Sequence, residues 1–199
     1  MLDNLYNKTI ILASQSPRRR ELMEMLKINF RVENIAGINE DYPENLHVND
    51  IPLFIASQKQ LAYKHLWSLH NHIVITADTI VSIENHILGK PVDKNDAIKM
   101  LTLLSGKTHQ VITGVCIKSN VKTVEFTAIT DVTFKPMTKD VINYYIDNYN
   151  PLDKAGAYGI QEWIGLTSIS GINGSYFNVM GLPVDKLVDE LKNFYDQKT

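Results

Sequence analysis

An α/β protein with a mixed, twisted sheet and flanking helices is the fold this sequence predicts, on three observations. Two short runs, TIILA (9–13) and HIVITAD (72–78), are almost continuously apolar, as in strands covered on both faces. Between such runs lie segments of helical spacing, as in DKNDAIKMLTLLSG (93–106), with apolar residues at 97, 101 and 104. A long run, VKTVEFTAITDVTFK (121–135), alternates apolar and polar, the mark of a half-exposed antiparallel strand. Strands and helices alternate irregularly, with hairpins mixed in, which favours a mixed sheet over a doubly wound parallel one.

The elements follow in chain order. After TIILA, Ser16 can cap a helix that carries Pro17 in its first turn, where the missing N–H costs nothing. Leu22, Met25 and Leu26 are its predicted apolar stripe. FRVENI (30–35) is a second strand, and AGINEDYPENLHVND (36–50) a polar loop. A helix over 51–69 is expected, with Asp50 as its cap. HIVITAD then continues through TIVSIENHIL (79–88) as a hairpin about Glu84 and Asn85. The helix of 93–106 stops at Gly106. HQVITGVCIKS (109–119) and the alternating run are the next strands, and Thr138 caps a helix over 139–149. A glycine-rich stretch (156–181) is too rich in aromatics for a linker, and PVDKLVDELKNFY (183–195) closes as a helix.

Composition narrows the function. The formal charge is −2, which argues against a nucleic-acid partner and toward a small anion. The single cysteine, Cys116, allows no internal disulfide and favours a reducing, cytoplasmic setting. The N-terminal segment MLDNLYNKTIILAS has an early acid and too short an apolar run for a signal peptide, and no run approaches a membrane span. Neither GxGxxG nor GxxxxGK[ST] occurs.

Three segments carry candidate chemistry. In SQSPRRRE (14–21), arginines crowd a helix N-terminus, whose dipole they oppose unless an anion stabilises both. A solvated basic turn is the competing reading. Neither Arg18 nor Arg19 is expected to sit in a core. In TADTI (76–80), Asp78 is expected just after a buried strand, at the sheet's carboxyl edge, where it can ligate a metal or act as a base. Glu40 in the polar loop is an oxygen donor of the same kind. In LGKP (88–91), Lys90 sits on a stiff turn within reach of a phosphate. Lys59 reads as a solvated helix residue, and Lys154 stands beside small neighbours that permit close approach. The six histidines show no zinc spacing, so carboxylates and phosphate oxygens would suit magnesium or manganese better. Gln161 can read a base edge through its amide.

Together the segments LASQSPRRRELM (12–23), Glu40, KQLA (59–62), ADTIV (77–81), LGKPVDKNDAIKMLTLLSGKTHQVITGV (88–115), PLDKAGAYGIQ (151–161) and GSYFNVMGLPV (174–184) resemble the Maf family of nucleoside triphosphate pyrophosphatases. They run in the family's order along almost the whole chain. The resemblance implies a single Maf-like domain of two lobes around a central cleft, related in architecture to the inosine triphosphate pyrophosphatases. It implies hydrolysis of a nucleoside triphosphate to the monophosphate and pyrophosphate with a divalent cation, magnesium or manganese. Asp78 matches the catalytic acid, and Glu40 and Asp78 would hold the metal. Ser14, Arg18, Arg19, Lys59, Lys90 and Lys154 would meet the substrate, with Arg18, Thr79 and Gln161 at positions that set base preference. That trio looks like the branch acting on dTTP and UTP. A homodimer is the assembly the resemblance suggests.

Two alternatives stay beside this reading: a pyrophosphatase for 7-methyl-GTP or for modified nucleotides broadly, and a nucleotide-binding regulator of septum formation. One local departure bears on the choice. Where the family places small residues after GIQ, this chain has Glu162 and Trp163, which either narrow the base pocket or cap a strand.

Overall fold

The computed structural model describes residues 5–194. Residues 1–4 of the N-terminal segment, and Tyr195 at the end of the predicted closing helix, lie outside the described residues. Seven strands form a mixed sheet: β1 (Thr9–Leu12), β2 (Phe30–Val32), β3 (His72–Ile83), β4 (His86–Leu88), β5 (Thr108–Lys118), β6 (Thr123–Phe134) and β7 (Ile169–Asn173). Their order is β2-β1-β3-β5-β6-β7, with β4 paired to β3 off this path. The chain divides into two compact units. One comprises the described residues up to Asp78, with Thr113–Ala128 and the segment from Gly181 on, and the other comprises Thr79–Ile112 and Ile129–Met180.

In the first unit β1 lies between two parallel partners, pairing Ile10 with Phe30 and with Ile73, and Leu12 with Val32 and with Ile75. Three of its four residues, Ile10, Ile11 and Leu12, are buried, as a doubly covered strand requires. Helix α1 (Pro17–Met25) starts where predicted, with the Ser16 hydroxyl accepting from the Arg19 N–H. Its buried side is Arg19, Leu22 and Met23, a regular i, i+3, i+4 stripe, while Met25 is exposed. Of the predicted stripe, Leu22 is buried and Leu26 half-buried, while Met25 gives way to Arg19 and Met23.

The helix predicted over 51–69 is two: α2 (Ile51–Ala62) and α3 (Lys64–Trp67), broken at Tyr63. Tyr63 is buried against Ile11, Ala13 and Val74, and its hydroxyl accepts from the Ile35 N–H and donates to the Glu33 carbonyl. Those ties on the β2 side hold the residue where the helix would otherwise continue. Asp50 makes no side-chain capping bond; its own backbone is already helical (φ −95°, ψ −18°), unlike the extended backbone of a capping residue. Helix α2 lies hard on β5 at Gly114, where a Cβ would come within 2.2 Å of the Leu53 nitrogen, so only glycine fits. On β5, Cys116 is buried with its thiol 3.6 Å from a Glu125 oxygen, and burial chiefly, then that carboxylate, pushes its pKa up to about 12. The closing helix α8 (Val184–Asn193) buries Val184, Leu187 and Leu191.

In the second unit β3 turns into β4 through Glu84 (φ 50°) and Asn85 (φ 65°), the two left-handed residues a tight hairpin needs. Helix α4 (Lys94–Leu104) is capped by Asp93, and α5 (Lys139–Tyr149) by Thr138, as predicted for Thr138. The glycine-rich stretch folds into α6 (Trp163–Ser168), β7 antiparallel to β6, and α7 (Tyr176–Met180). At the core of this unit His109 stacks on Phe134 and meets Tyr158 edge-on, its Nε2 2.7 Å from the Tyr158 hydroxyl.

Burial lowers the His109 pKa from its ordinary 6.5 to about 4, against a weaker pull from Asp131. The unfolded chain then takes up a proton below about pH 6.5 that the folded chain refuses until about pH 4. The stability tied to His109 is therefore complete above that window and lost as pH falls through it. Between pH 7.5 and 5, urea unfolding of the native chain should lose about 2 kcal/mol more than that of His109→Gln. Equal losses in the two proteins would show that His109 carries no such dependence.

Candidate active site

Asp78 does not end its strand, as the sequence suggested; β3 runs on through it to Ile83. The edge belongs instead to the shorter β1, which stops at Leu12 opposite Ile75, with the Ala13 N–H still donating to the Ile75 carbonyl. Asp78 thus stands three residues beyond the last parallel pairing, at the carboxyl end of the neighbouring strand.

Strand periodicity puts Thr76 and Asp78 on one face. Helix α2 contacts both residues. The Thr76 hydroxyl donates to the Ala56 carbonyl at 2.7 Å, and one helical turn along, Lys59 Nζ lies 2.8 Å from Asp78 Oδ1. Gln60, beside Lys59, donates through Nε2 to the Val74 and Cys116 carbonyls, 2.8 and 2.9 Å away, so α2 is bolted to two strands. The same Lys59 ammonium is 2.8 Å from Glu40 Oε1. One lysine thus bridges two carboxylates, with the Lys59 and Asp78 side chains each 14% exposed and Glu40 55%. Lys59 is not the solvated helix residue expected. Burial raises the Asp78 pKa, opposed first by Lys59 and next by Arg19, while Glu40 adds to the rise. The carboxylate holds a proton more tightly than a surface aspartate would.

The three arginines have three different places. Arg19 is 9% exposed, correcting the expectation that it lies outside a core. Its Nε donates to the Gly181 carbonyl at 2.8 Å, and one terminal nitrogen to the Ala77 carbonyl at 2.9 Å and the Ser14 hydroxyl at 3.4 Å. Burial lowers its proton affinity, and Asp78 is the main charge that holds it up. It ties the start of α1 to the residue before Asp78 and to the segment leading into α8. Arg18 is half-buried beside it, and Arg20 is on the surface, paired with Glu24. A recess of about 350 Å³ lies by the α1 N-terminus, lined in part by Ser14, Ser16, Arg20 and Asn34. Of the predicted site residues only Ser14 lines it.

Four predicted residues belong to the second unit. Thr79 is half-buried on β3, and Lys90 is exposed after Gly89, whose carbonyl accepts from the Gly156 N–H at 3.0 Å. Lys154 is buried, held 2.7 Å from Asp153 and 3.1 Å from Glu162. The Gln161 side-chain oxygen is buried and has no hydrogen-bond partner among the described residues. Glu162 and Trp163 open helix α6, so they do not cap a strand; Trp163 packs on Tyr144 with ring centroids 4.8 Å apart. Sequence reasoning missed Thr76, Gln60 and Tyr145. Thr76 carried a usable signal, its two-residue spacing from Asp78.

These features define a mixed α/β protein with a lysine-bridged acidic centre. The Maf-like protein family matches residues 9–194, and the chain belongs to that family. A dTTP/UTP pyrophosphatase of Phocaeicola vulgatus is 52% identical over 193 residues, covering 96% of this chain and 99% of that protein. A dTTP/UTP pyrophosphatase of Porphyromonas gingivalis is 48% identical over 195 residues, 98% of each chain. Among solved structures, a HAM1 protein from Coxiella burnetii aligns with a TM-score of 0.42 at 11% identity, over 64% of this chain and 73% of that one, a likeness too slight to argue from.

Removing Arg19 leaves two buried carbonyls without their donor. Arg19→Ala should therefore lower the unfolding free energy by about 2–4 kcal/mol. Arg20→Ala, which removes only an exposed pair with Glu24, should stay within about 1 kcal/mol of the native chain. Chemical denaturation of the two variants checks the contrast, and equal stabilities would remove Arg19 from its structural role.

Proposed function

We propose that this chain hydrolyses dTTP and UTP to the nucleoside monophosphate and pyrophosphate. The observation that carries the reading is Asp78, a mostly buried carboxylate of raised proton affinity, bridged through Lys59 to Glu40. The full-length relatives named dTTP/UTP pyrophosphatase support the choice of substrate.

In this reading Asp78 takes a proton from a water as the water oxygen bonds to the α-phosphorus. The bond from that phosphorus to the α,β-bridging oxygen breaks, and pyrophosphate leaves with the electron pair. A base must hold the proton it takes, and the burial of Asp78 favours that. Lys59 and Arg18 supply positive charge to the phosphate oxygens, with Ser14 as a hydroxyl donor. Lys90 and Lys154 are assigned to the same task by the family resemblance. Arg19, engaged with main-chain carbonyls, is assigned to positioning, since it holds the Ala77 carbonyl beside the base.

The donor set fits a divalent cation shared with substrate. Glu40 and Asp78 already converge on one cationic atom, and among the described residues no group of three or more His, Cys, Asp or Glu side chains is placed to hold a metal. Magnesium is commonly held by one or two carboxylates plus phosphate oxygens, so Glu40 and Asp78 would hold magnesium or manganese here. When bound, the ion would neutralise triphosphate charge.

Uracil and thymine share an N–H flanked by two carbonyl oxygens, and the partnerless buried oxygen of Gln161 can accept from such an N–H. Thr79 and Arg18 complete the assignment of base preference. The proposal extends to a cytoplasmic homodimer without a nucleic-acid partner, a setting that suits a chain of net charge −2 with one buried cysteine. Among the described residues no helix is long and apolar enough to cross a membrane.

A panel of nucleoside triphosphates with magnesium or manganese, with pyrophosphate and orthophosphate measured separately, tests the reaction. Pyrophosphate should appear fastest from dTTP and UTP; orthophosphate with a diphosphate would overturn the reading. Asp78→Asn should lose about 10²–10⁴-fold in turnover or more. The amide keeps the shape of the carboxylate, so this loss should come in a chain that still folds, as urea unfolding checks. Gln161→Ala should cut the preference for UTP over GTP by about 1–3 kcal/mol, read in competition assays. An unchanged ratio would move base reading elsewhere.

A further inference from the structure

Glu162 follows the proposed base-reading Gln161 directly, and its carboxylate has two separate partners. Oε1 pairs with the Lys154 ammonium at 3.1 Å, and Oε2 accepts a hydrogen bond from the Tyr145 hydroxyl. Tyr145 is fully buried in α5, and its oxygen in turn accepts from the Gly159 N–H at 3.0 Å. A Cβ at Gly159 would come within 2.8 Å of the Glu162 carboxyl carbon, so a side chain there would displace that carboxylate. The Gly159 carbonyl accepts from the Glu162 N–H at 3.0 Å, closing the turn that contains Gln161. One carboxylate therefore ties down a lysine, a buried tyrosine and both ends of the turn that carries the proposed base-reading amide.

The alternatives for these groups are poor. The Lys154 side chain is 8% exposed, and its other anionic partner, Asp153, is 56% exposed and shields it little. Without Glu162 the ammonium would keep one exposed partner, and the Tyr145 hydroxyl would lose its acceptor in a buried place. Both burial and the adjoining carboxylate push the Tyr145 pKa up, so the tyrosine stays a donor.

We infer that Glu162 is a positioning residue for nucleotide recognition: its carboxylate fixes Lys154 and the Gly159–Gln161 turn in the arrangement that meets the substrate. This rests on the pyrophosphatase reading for what the positioned groups bind. It makes binding, not the chemical step, the quantity that depends on Glu162. A glutamine at 162 can still accept from Tyr145 but cannot pair with an ammonium, so Glu162→Gln separates charge from shape. A phenylalanine at 145 removes the other tie while keeping the ring.

The test measures KM and kcat for UTP and GTP with magnesium in the native chain, Glu162→Gln, Tyr145→Phe, Lys154→Met and the Glu162→Gln/Lys154→Met double variant. Glu162→Gln should raise the KM for UTP about tenfold, on the scale of one lost interaction with a charged group, with a smaller change in kcat. Tyr145→Phe should move KM in the same direction and shrink the UTP-to-GTP ratio. The double variant should be no worse than Lys154→Met alone, because the two residues act as a unit. A general loss of folded protein would lower kcat and leave KM alone. Folded Glu162→Gln and Tyr145→Phe with native KM and native base ratio overturn the inference, as does strict additivity in the double variant. A second readout needs no turnover: the ¹⁵N-labelled Lys154 ammonium should exchange its protons slowly in the native chain and rapidly in Glu162→Gln. If the native chain releases no pyrophosphate from UTP or dTTP, the pyrophosphatase reading falls by itself. In that event, slow exchange lost in Glu162→Gln still supports the held lysine, and slow exchange retained overturns it.

Discussion

The seating of α2 on the sheet is the constraint from which the acidic centre follows. Thr76 and Gln60 send four hydrogen bonds into main-chain carbonyls of the helix and of strands β3 and β5, and Gly114 lets the helix backbone approach without a side chain between. Each of these bonds satisfies a buried polar group that would otherwise be costly. Their joint result is directional. Lys59 lies three residues beyond Ala56 on the same helix face, so its ammonium meets Asp78 just as the Ala56 carbonyl meets Thr76 two residues earlier on the strand. The charge that folding buries at Asp78 is thereby opposed before any ligand comes, as preorganised electrostatics require.

Arg19 plays the matching part from the other side of Asp78. A guanidinium in a core is expensive unless its donors are used, and here its hydrogen bonds run to two carbonyls and a serine hydroxyl. The result is a buried cation next to the proposed base, linked to three stretches of chain far apart in sequence. Asp78 is thus set between a lysine that contacts its carboxylate and an arginine that holds its neighbouring peptide. The first tunes charge and the second tunes position.

Much of this was readable in the residues, and the exceptions share a cause. Strand β1, helix α4 and the β3–β4 hairpin follow from apolar period and turn residues, which act locally. The break at Tyr63 does not, because residues 51–69 contain no glycine and no proline after the first turn; the helix is interrupted by hydroxyl bonds to residues 33 and 35. Arg19 hid in plain view, since a charged residue at the first position of an apolar stripe reads as surface. The segment motifs pointed to Asp78, Glu40 and Lys59 separately, and nothing in their spacing says that one lysine bridges both acids. Glu162 stood out in the sequence as unusual, but its two partners lie 8 and 17 residues earlier and no local rule connects them. Contacts made by long-range packing are the ones a linear reading loses.

Cys116 has a practical corollary. With its pKa near 12, only about a hundred-thousandth of this thiol is ionised at neutral pH, and the thiolate is the reactive form. Disulfide exchange, glutathione capture and alkylation at this residue are slowed accordingly while the chain stays folded. The native protein has no other thiol. A cysteine introduced at any exposed position would therefore take a maleimide dye or spin label essentially alone, without first replacing the natural one.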